Sequence, residues 1–451
     1  MSPAGPDRPA AGAAPLVVAA EMGYGHLRAA LPLAEALGVP LQLADRAPLA
    51  GPDERALWDR VRGAYELTSR LSQLSLAGGP LRWLLDQVTA IPGRYSERDL
   101  TGPNGGLRFV ERLARRGLGQ GLVAALRESG RPLLTTFYVP ALIADRAGLE
   151  NDLWCVVTDT DANRVWAPAD AARTRLRYLV PTQDVRRRLV QFGVPPERIT
   201  CTGFPLPHEL VGGPGYPALK RNLAARLVRL DPQRAFRGEV GGDVAAFLGP
   251  LPAGEEGRAP LVTFAVGGAG AQSELARSFL PSLRPALLAG RLRLALVAGT
   301  RPAVKARLEG ALAAARLEGA RGNGVELLFE PEREAYFRGF NRLLAGTDLL
   351  WTKPSELTFF AALGLPVICA PPVGVHERRN RRWVRESGAG MKQRDPRFAA
   401  EWISDLLADG QLAAAAWAGY VRLPKGGLYR IVELVAAAAG PAAPLPHAQD
   451  L

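Results

Sequence analysis

Cysteine is scarce in this chain of 451 residues: Cys155, Cys201 and Cys369 lie far apart, each in or beside an apolar run. That spacing favours reduced, buried thiols over a disulfide framework or a thiolate metal site. The four histidines are equally scattered, so no metal motif emerges. Lysine occurs only at Lys220, Lys305, Lys353, Lys392 and Lys425, leaving arginine to carry nearly all the positive charge, a bias that genome composition explains as well as a basic binding face does. No uninterrupted apolar stretch approaches the roughly 20 residues needed to span a bilayer. The start, Met1 to Ala14, is rich in Pro, Ala and Gly and has neither the basic opening nor the apolar centre of a secretory signal. These absences lead to the expectation of a soluble, cytoplasmic protein that uses no metal and no cofactor.

The length exceeds the usual limit of one hydrophobic core, about 250 to 300 residues, so two domains are expected. Hydrophobic residues make up 47% of the chain, which excludes wholesale disorder. The net charge of +12 favours anionic partners such as an anionic lipid surface or an acidic substrate. Nucleic acid is the weakest of these, because the basic residues are dispersed and no stacking or finger motif accompanies them.

Apolar runs at Leu16–Ala20, Leu133–Phe137, Leu153–Thr158, Tyr178–Val180 and Ile199–Thr202 alternate with helical stretches, the βα repeat of a parallel sheet. A second series runs through Leu261–Val266, Leu292–Ala298, Val325–Phe329, Leu349–Trp351 and Val367–Ala370. The fold class is therefore α/β with two doubly wound, Rossmann-like domains. The expected boundaries are a tail at 1–14, a first domain at 15–206, a linker with an insertion at 207–260, a second domain at 261–420, a C-terminal helix at 421–436 and a tail at 437–451. Within the linker, Leu219 to Leu230 is expected to be helical.

The first strand runs into Glu21-Met22-Gly23-Tyr24-Gly25-His26. Gly23 and Gly25 permit a tight turn with close backbone approach to a ligand, and His26 at its mouth suits a general base as well as a hydrogen-bonding residue of the helix start. In the second half, Gly267-Gly268-Ala269-Gly270-Ala271-Gln272 forms another glycine turn before a helix, where a diphosphate would fit. The strand through Trp351 leads to Thr352-Lys353-Pro354-Ser355-Glu356, with Ser355 as a helix cap and its helix start as a second phosphate candidate. Pro371 to Asn380 forms a polar loop in which Glu377 and Asn380 can bond a polyhydroxylated ligand. Phe329, at the end of its strand, joins the donor-side candidates.

This order of motifs resembles the GT-B nucleotide-sugar glycosyltransferases, in particular the diacylglycerol glucosyltransferases and monogalactosyldiacylglycerol synthases. The resemblance covers about residues 15–206 and 261–440 and is most specific in Val156-Val-Thr-Asp-Thr-Asp-Ala-Asn-Arg-Val-Trp166, Tyr178-Leu-Val-Pro-Thr182, Gly193-Val-Pro-Pro-Glu-Arg-Ile199 and Thr202-Gly-Phe-Pro205. The family's Gly-x-Gly-His turn matches Gly23 to His26, its Thr-Lys-Pro-Gly-Gly segment matches Thr352 to Pro354, and its Pro-x-x-Gly-Gln-Glu-x-x-Asn loop is similar to Pro371–Asn380, with Gly374, His376, Glu377 and Asn380 in the corresponding order. The resemblance implies an inverting, metal-independent transferase, with the acceptor in the first domain and a nucleotide-sugar, UDP-sugar favoured, in the second, across a cleft that closes for reaction. A lipid-linked hydroxyl at an anionic membrane surface is one acceptor it suggests, with peripheral placement at the inner membrane face. Asp159, Asp161 and Asn163 are acceptor-side candidates, the two aspartates being equally suited to helix capping. Asn163 replaces a histidine of the lipid-synthesising members, and Phe359 stands where the family has a ribose-binding acidic residue; Glu356, one helical turn earlier, is its substitute, and Phe359→Glu is expected to strengthen UDP-sugar binding. Nucleotide-sugar epimerisation or hydrolysis on the same fold, and a non-catalytic nucleotide-sugar or lipid-head-group binding protein, are the competing readings.

Overall fold

Runs of buried, mainly aliphatic residues build the inner strands of each sheet, and the burial is two-sided, as parallel strands between helices require. The computed structural model describes residues 14–71, 91, 99–267, 270, 272–372 and 374–438, with backbone alone for 64–71. Gly268 and Ala271 lie outside the described residues, as do the tails expected at 1–14 and 437–451, apart from Ala14 and the last helical residues Ala437 and Ala438. The chain divides into two compact units, one comprising the described parts of Met1–Pro205, Val373–His376 and Gly426–Leu451, the other Leu206–Pro372 and Glu377–Lys425.

The first unit holds β1 (Leu16–Ala19), β2 (Leu41–Leu43), β3 (Leu133–Thr135), β4 (Leu153–Val156), β5 (Arg177–Val180) and β6 (Ile199–Cys201). They form one parallel sheet in the order β2-β1-β3-β4-β5-β6. The second unit holds β7 (Leu261–Ala265), β8 (Arg293–Gly299), β9 (Val325–Phe329), β10 (Leu349–Thr352), β11 (Val367–Cys369) and β12 (Gly390–Lys392), parallel in the order β12-β11-β10-β7-β8-β9. Relabelled from its own first strand, this is the 3-2-1-4-5-6 order of a dinucleotide-binding fold run from the far edge. Beside β1 and beside β7 the strand order reverses, so consecutive crossovers leave for opposite faces and open a crevice at the strand carboxyl ends.

Residues 207–260, expected as a linker with an insertion, carry helices Pro217–Arg229 and Ala235–Leu248 and form part of the second unit. Arg226 explains the attachment. Its guanidinium is 1% exposed and donates to the main-chain oxygens of Thr347, Leu363 and Gly364 at 2.7, 2.9 and 3.1 Å. Burial pushes its pKa down to about 10, against the pull of nearby Asp348, so the group is still charged at neutral pH. One turn on, Arg229 pairs with Asp348 at 2.8 Å and with Glu255, while Asp348 also accepts the Leu261 N–H at 2.8 Å. The helix is thereby hydrogen-bonded to the start of β7, the entry to β10 and the segment before β11.

The C-terminal region also differs from expectation. Helix Gln411–Arg422 belongs to the second unit, whereas helix Gly427–Ala438 packs on helix Tyr24–Ala36 of the first. Arg226→Ala would orphan three buried carbonyls and leave a cavity. A loss of about 3 kcal/mol from the second unit is expected, read as a lower urea midpoint with unchanged slope.

Candidate functional site

In the first unit the chain leaves β1 through Glu21 to Gly23 and enters helix Tyr24–Ala36, so His26 stands in the first helical turn. Gly23 adopts φ +117°, a conformation side-chain-bearing residues rarely take. The turn is tied to the end of β2: the buried carboxylate of Asp45 accepts the Glu21 N–H at 3.2 Å and pairs with Arg62 at 2.8 Å, while Arg46 pairs with the Glu21 side chain at 2.6 Å. Because β1 and β3 are neighbours, the turn after β1 meets the segment after β3. His26 Nδ1 lies 2.8 Å from the main-chain oxygen of Thr136 and 3.1 Å from Thr158 Oγ1, and Thr136 Oγ1 donates to the His26 carbonyl at 2.8 Å. The imidazole is 9% exposed and packs edge-on to Phe137 at 4.7 Å, with Trp166 at 6.2 Å. Tyr138, 5.5 Å from Trp166, has its phenol pushed up to about 12 by burial and stays protonated.

The acceptor-side candidates do not share one environment. Asp161 is bound by Arg188 through two oxygens at 3.0 and 3.1 Å and accepts the Ala162 N–H at 2.9 Å. That bidentate, largely buried pair anchors helix Gln183–Gln191, a structural role other than the helix capping expected of this residue. Asn163 caps the 3₁₀ turn Arg164–Trp166 and accepts from Asn104 at 3.3 Å. Arg164 secures the same segment through the main-chain oxygens of Thr101, Gly102, Ala167 and Pro168. Asp159 is half-buried just before Thr160.

In the second unit, β7 and β10 flank the reversal point, and their exits converge. A Cβ added to Gly267 would meet Lys353 Cε at 2.3 Å, so the missing side chain is what lets the lysine lie across the turn. Lys353 Nζ reaches Glu377 Oε1 at 2.7 Å, and the carboxylate is 2% exposed. Asn380, one turn further along helix Val375–Glu386 and fully buried, donates to the Pro354 oxygen at 3.2 Å. Gly267, Lys353, Glu377 and Asn380, distant in sequence, thus form one cluster. Gly270 closes the turn by donating to Gly267 O at 2.7 Å and abuts Val304, whose neighbour Lys305 stands 5.2 Å over the Phe329 ring. Gln272 links the same turn to the Pro371 oxygen at 2.5 Å. His376 is exposed beside Gly374 at the helix start.

The segment after Ser355 is a 3₁₀ helix, Glu356–Leu363, in which Ser355 accepts from Leu357 N at 3.5 Å. Its 3₁₀ form, in place of the expected α-helix, weakens the case for a dipole-assisted phosphate site. Glu356 is half-buried in the first turn. Phe359 is 3% exposed and packs on Trp383 at 5.2 Å. The ring is packed in the interior, which sets a burial cost against the expected gain from a carboxylate at this position. Thr136, Thr158, Asp45 and Gln272 were not singled out from sequence, although Thr158 lies inside the Val156–Trp166 run.

The paired sheets and their strand order define a GT-B architecture of two Rossmann-like domains. Among solved structures, the calicheamicin glycosyltransferase CalG4 aligns with 95% of this chain and 98% of its own at a TM-score of 0.51 and 14% identity, a likeness of fold. The UDP-GlcNAc 2-epimerase from Neisseria meningitidis bound to UDP-GlcNAc aligns with 93% and 98% at a TM-score of 0.49 and 13% identity. In sequence the chain is similar to the processive diacylglycerol beta-glucosyltransferase of Bacillus cytotoxicus, 23% identical over 297 residues, which is 64% of either chain. The alignment thus spans less than two thirds of that relative's length. No family model matches the chain.

Two outcomes follow from the second unit. Phe359→Glu buries an unpaired charge, and a stability loss of several kcal/mol is expected by chemical denaturation, with no gain in nucleotide-sugar affinity by calorimetry. A double-mutant cycle on Lys353→Met and Glu377→Gln should return a coupling of about 2 kcal/mol, since either change alone strands the other partner of a largely buried pair.

Proposed function

We propose that the protein is an inverting glycosyltransferase that moves a sugar from a nucleotide-sugar, UDP-sugar favoured, to a hydroxyl acceptor. The observation that carries this reading is the second-unit cluster: an ammonium lying over a glycine turn, backed by a buried carboxylate and amide. Such a group offers a diphosphate a positive charge, and offers sugar hydroxyls acceptors on the other side. In the reaction the acceptor oxygen attacks the anomeric carbon as the bond to the diphosphate oxygen breaks. The acceptor proton passes to His26, and Lys353 with the turn around Gly267 offsets the charge on the departing diphosphate. In this reading Lys353 does at the leaving diphosphate what a metal ion would otherwise do.

Acceptor choice rests on the sequence relative, which acts by its name on diacylglycerol. A lipid hydroxyl at an anionic surface fits the net charge of +12, and peripheral contact with that surface is the mode this charge supports; among the described residues no helix is long and apolar enough to cross a membrane. Phe359 in the core favours a second reading, donor binding without turnover, because the ribose then lacks its usual carboxylate partner and depends on Glu356.

The deciding experiment incubates purified protein with a panel of nucleotide-sugars and diacylglycerol-containing anionic vesicles and identifies the products by mass spectrometry. A glycosylated lipid with release of free nucleotide is the expected result. An isomerised nucleotide-sugar would mean epimerisation, free sugar would mean hydrolysis, and affinity without product would mean a binding protein. His26→Ala should lower turnover by about 10² to 10⁴ with donor affinity within twofold of the parent.

A further inference from the structure

The histidine of the first unit is held in a way that decides which of its nitrogens can act. A carbonyl oxygen can only accept, so a ring nitrogen 2.8 Å from the Thr136 main-chain oxygen must carry a proton. Thr158 Oγ1, 3.1 Å from the same nitrogen, can then only accept from it, its own hydrogen turned elsewhere. Both oxygens are buried, Thr136 at 0% and Thr158 at 3% exposure, so solvent does not compete for the proton. Each comes from the carboxyl end of a neighbouring strand, Thr136 directly after β3 and Thr158 two residues after β4. The Thr136 hydroxyl adds a third tie by donating to the His26 carbonyl at 2.8 Å, which fixes the ring's own backbone to the same segment.

We propose that Thr136 and Thr158 lock His26 as the Nδ1–H tautomer, and that Thr158 is a positioning residue that sets the direction of the Nε2 lone pair. Two acceptors on one N–H restrain rotation of the ring about its bond to Cβ, where a single acceptor would leave a swing about the hydrogen bond. Phe137 at 4.7 Å and Trp166 at 6.2 Å confine the remaining motion. The neutral imidazole is thus presented with its basic nitrogen pointing away from both strands. A hydroxyl and a peptide carbonyl do here what a carboxylate does in a His-carboxylate pair, without adding a negative charge beside the ring. The inference deepens the role given to His26 above and rests on it only for its catalytic meaning.

The test is long-range proton–nitrogen NMR on uniformly ¹⁵N-labelled full-length protein, where the four histidines are few enough to resolve and His26→Gln assigns the signal. The expected result is a His26 ring proton on Nδ1 at neutral pH, slow to exchange with solvent. In Thr158→Val, of nearly the same shape, that proton should exchange several-fold faster, and Thr158→Ser should restore the parent rate. If the donor panel yields turnover, Thr158→Val should lower kcat by roughly fivefold, the equivalent of one neutral hydrogen bond, with KM within twofold. A proton on Nε2 in the parent protein overturns the proposal, as does an Nδ1 proton whose exchange is the same in Thr158→Val. The NMR arm needs no substrate, so absence of glycosyl transfer would defeat the proposed function and leave the tautomer assignment standing.

Discussion

Reversal of strand order beside the first strand of each sheet is the constraint from which both clusters follow. Parallel strands must be joined by crossovers that cover the sheet, and where the winding changes direction no helix fills the space over the strand ends. In the first unit the reversal lies between β1 and β3, and the segments leaving those strands supply His26 and Thr136. In the second it lies between β7 and β10, whose exits supply Gly267 and Lys353. Residues more than 80 positions apart are brought together because the topology leaves room over the strand ends at the reversal point.

Charge pairing does different work in the two units although the chemistry is the same. Arg188 and Asp161 form a bidentate pair that satisfies both groups and joins a loop to a helix. Among the described residues Lys353 contacts Glu377 through one of its three N–H donors, on a side chain that lies across the glycine turn. A planar guanidinium matched to a carboxylate fork is suited to permanence, whereas a lysine on a flexible stem can transfer part of its bonding to an incoming anion. The arginine-rich, lysine-poor composition makes the placement of one of five lysines at this turn the more pointed.

Ten of the twelve strands could be read from the sequence as apolar runs, most of them buried on both faces; β6 and β9, half-buried at the sheet edges, were legible by the same composition. The two that could not be read, β2 (Leu41–Leu43) and β12 (Gly390–Lys392), are three-residue outer strands of partial exposure with no such run. Missing β2 also hid Asp45, which stands just beyond its end. Residues 207–260 looked like a linker because helix Ala235–Leu248 contains Gly238, Gly241 and Gly242; the sequence gives no sign that the Asp231 carboxylate accepts the N–H groups of Phe236 and Arg237 and so starts the helix. The glycine turns, His26, Lys353, Glu377 and Asn380 were legible as motifs. What motif spacing could not convey was commitment: that Asp161 is taken by an arginine 27 residues away, and that the Phe359 ring faces Trp383 inside the core.

Helix Gly427–Ala438 packs on helix Tyr24–Ala36, so the first unit is built from both sides of the second in chain order. About 390 residues separate the two helices, and a ribosome adds roughly 5 to 20 residues per second. The first helix therefore waits roughly 20 to 80 seconds for its partner to be translated. For all of that interval the second unit is itself still being made, its last residue being Lys425, and the first exposes the apolar surface its last helix will cover. The half begun first is thus finished last, and until its final helix emerges the nascent chain carries an apolar face that only its own C-terminal segment covers.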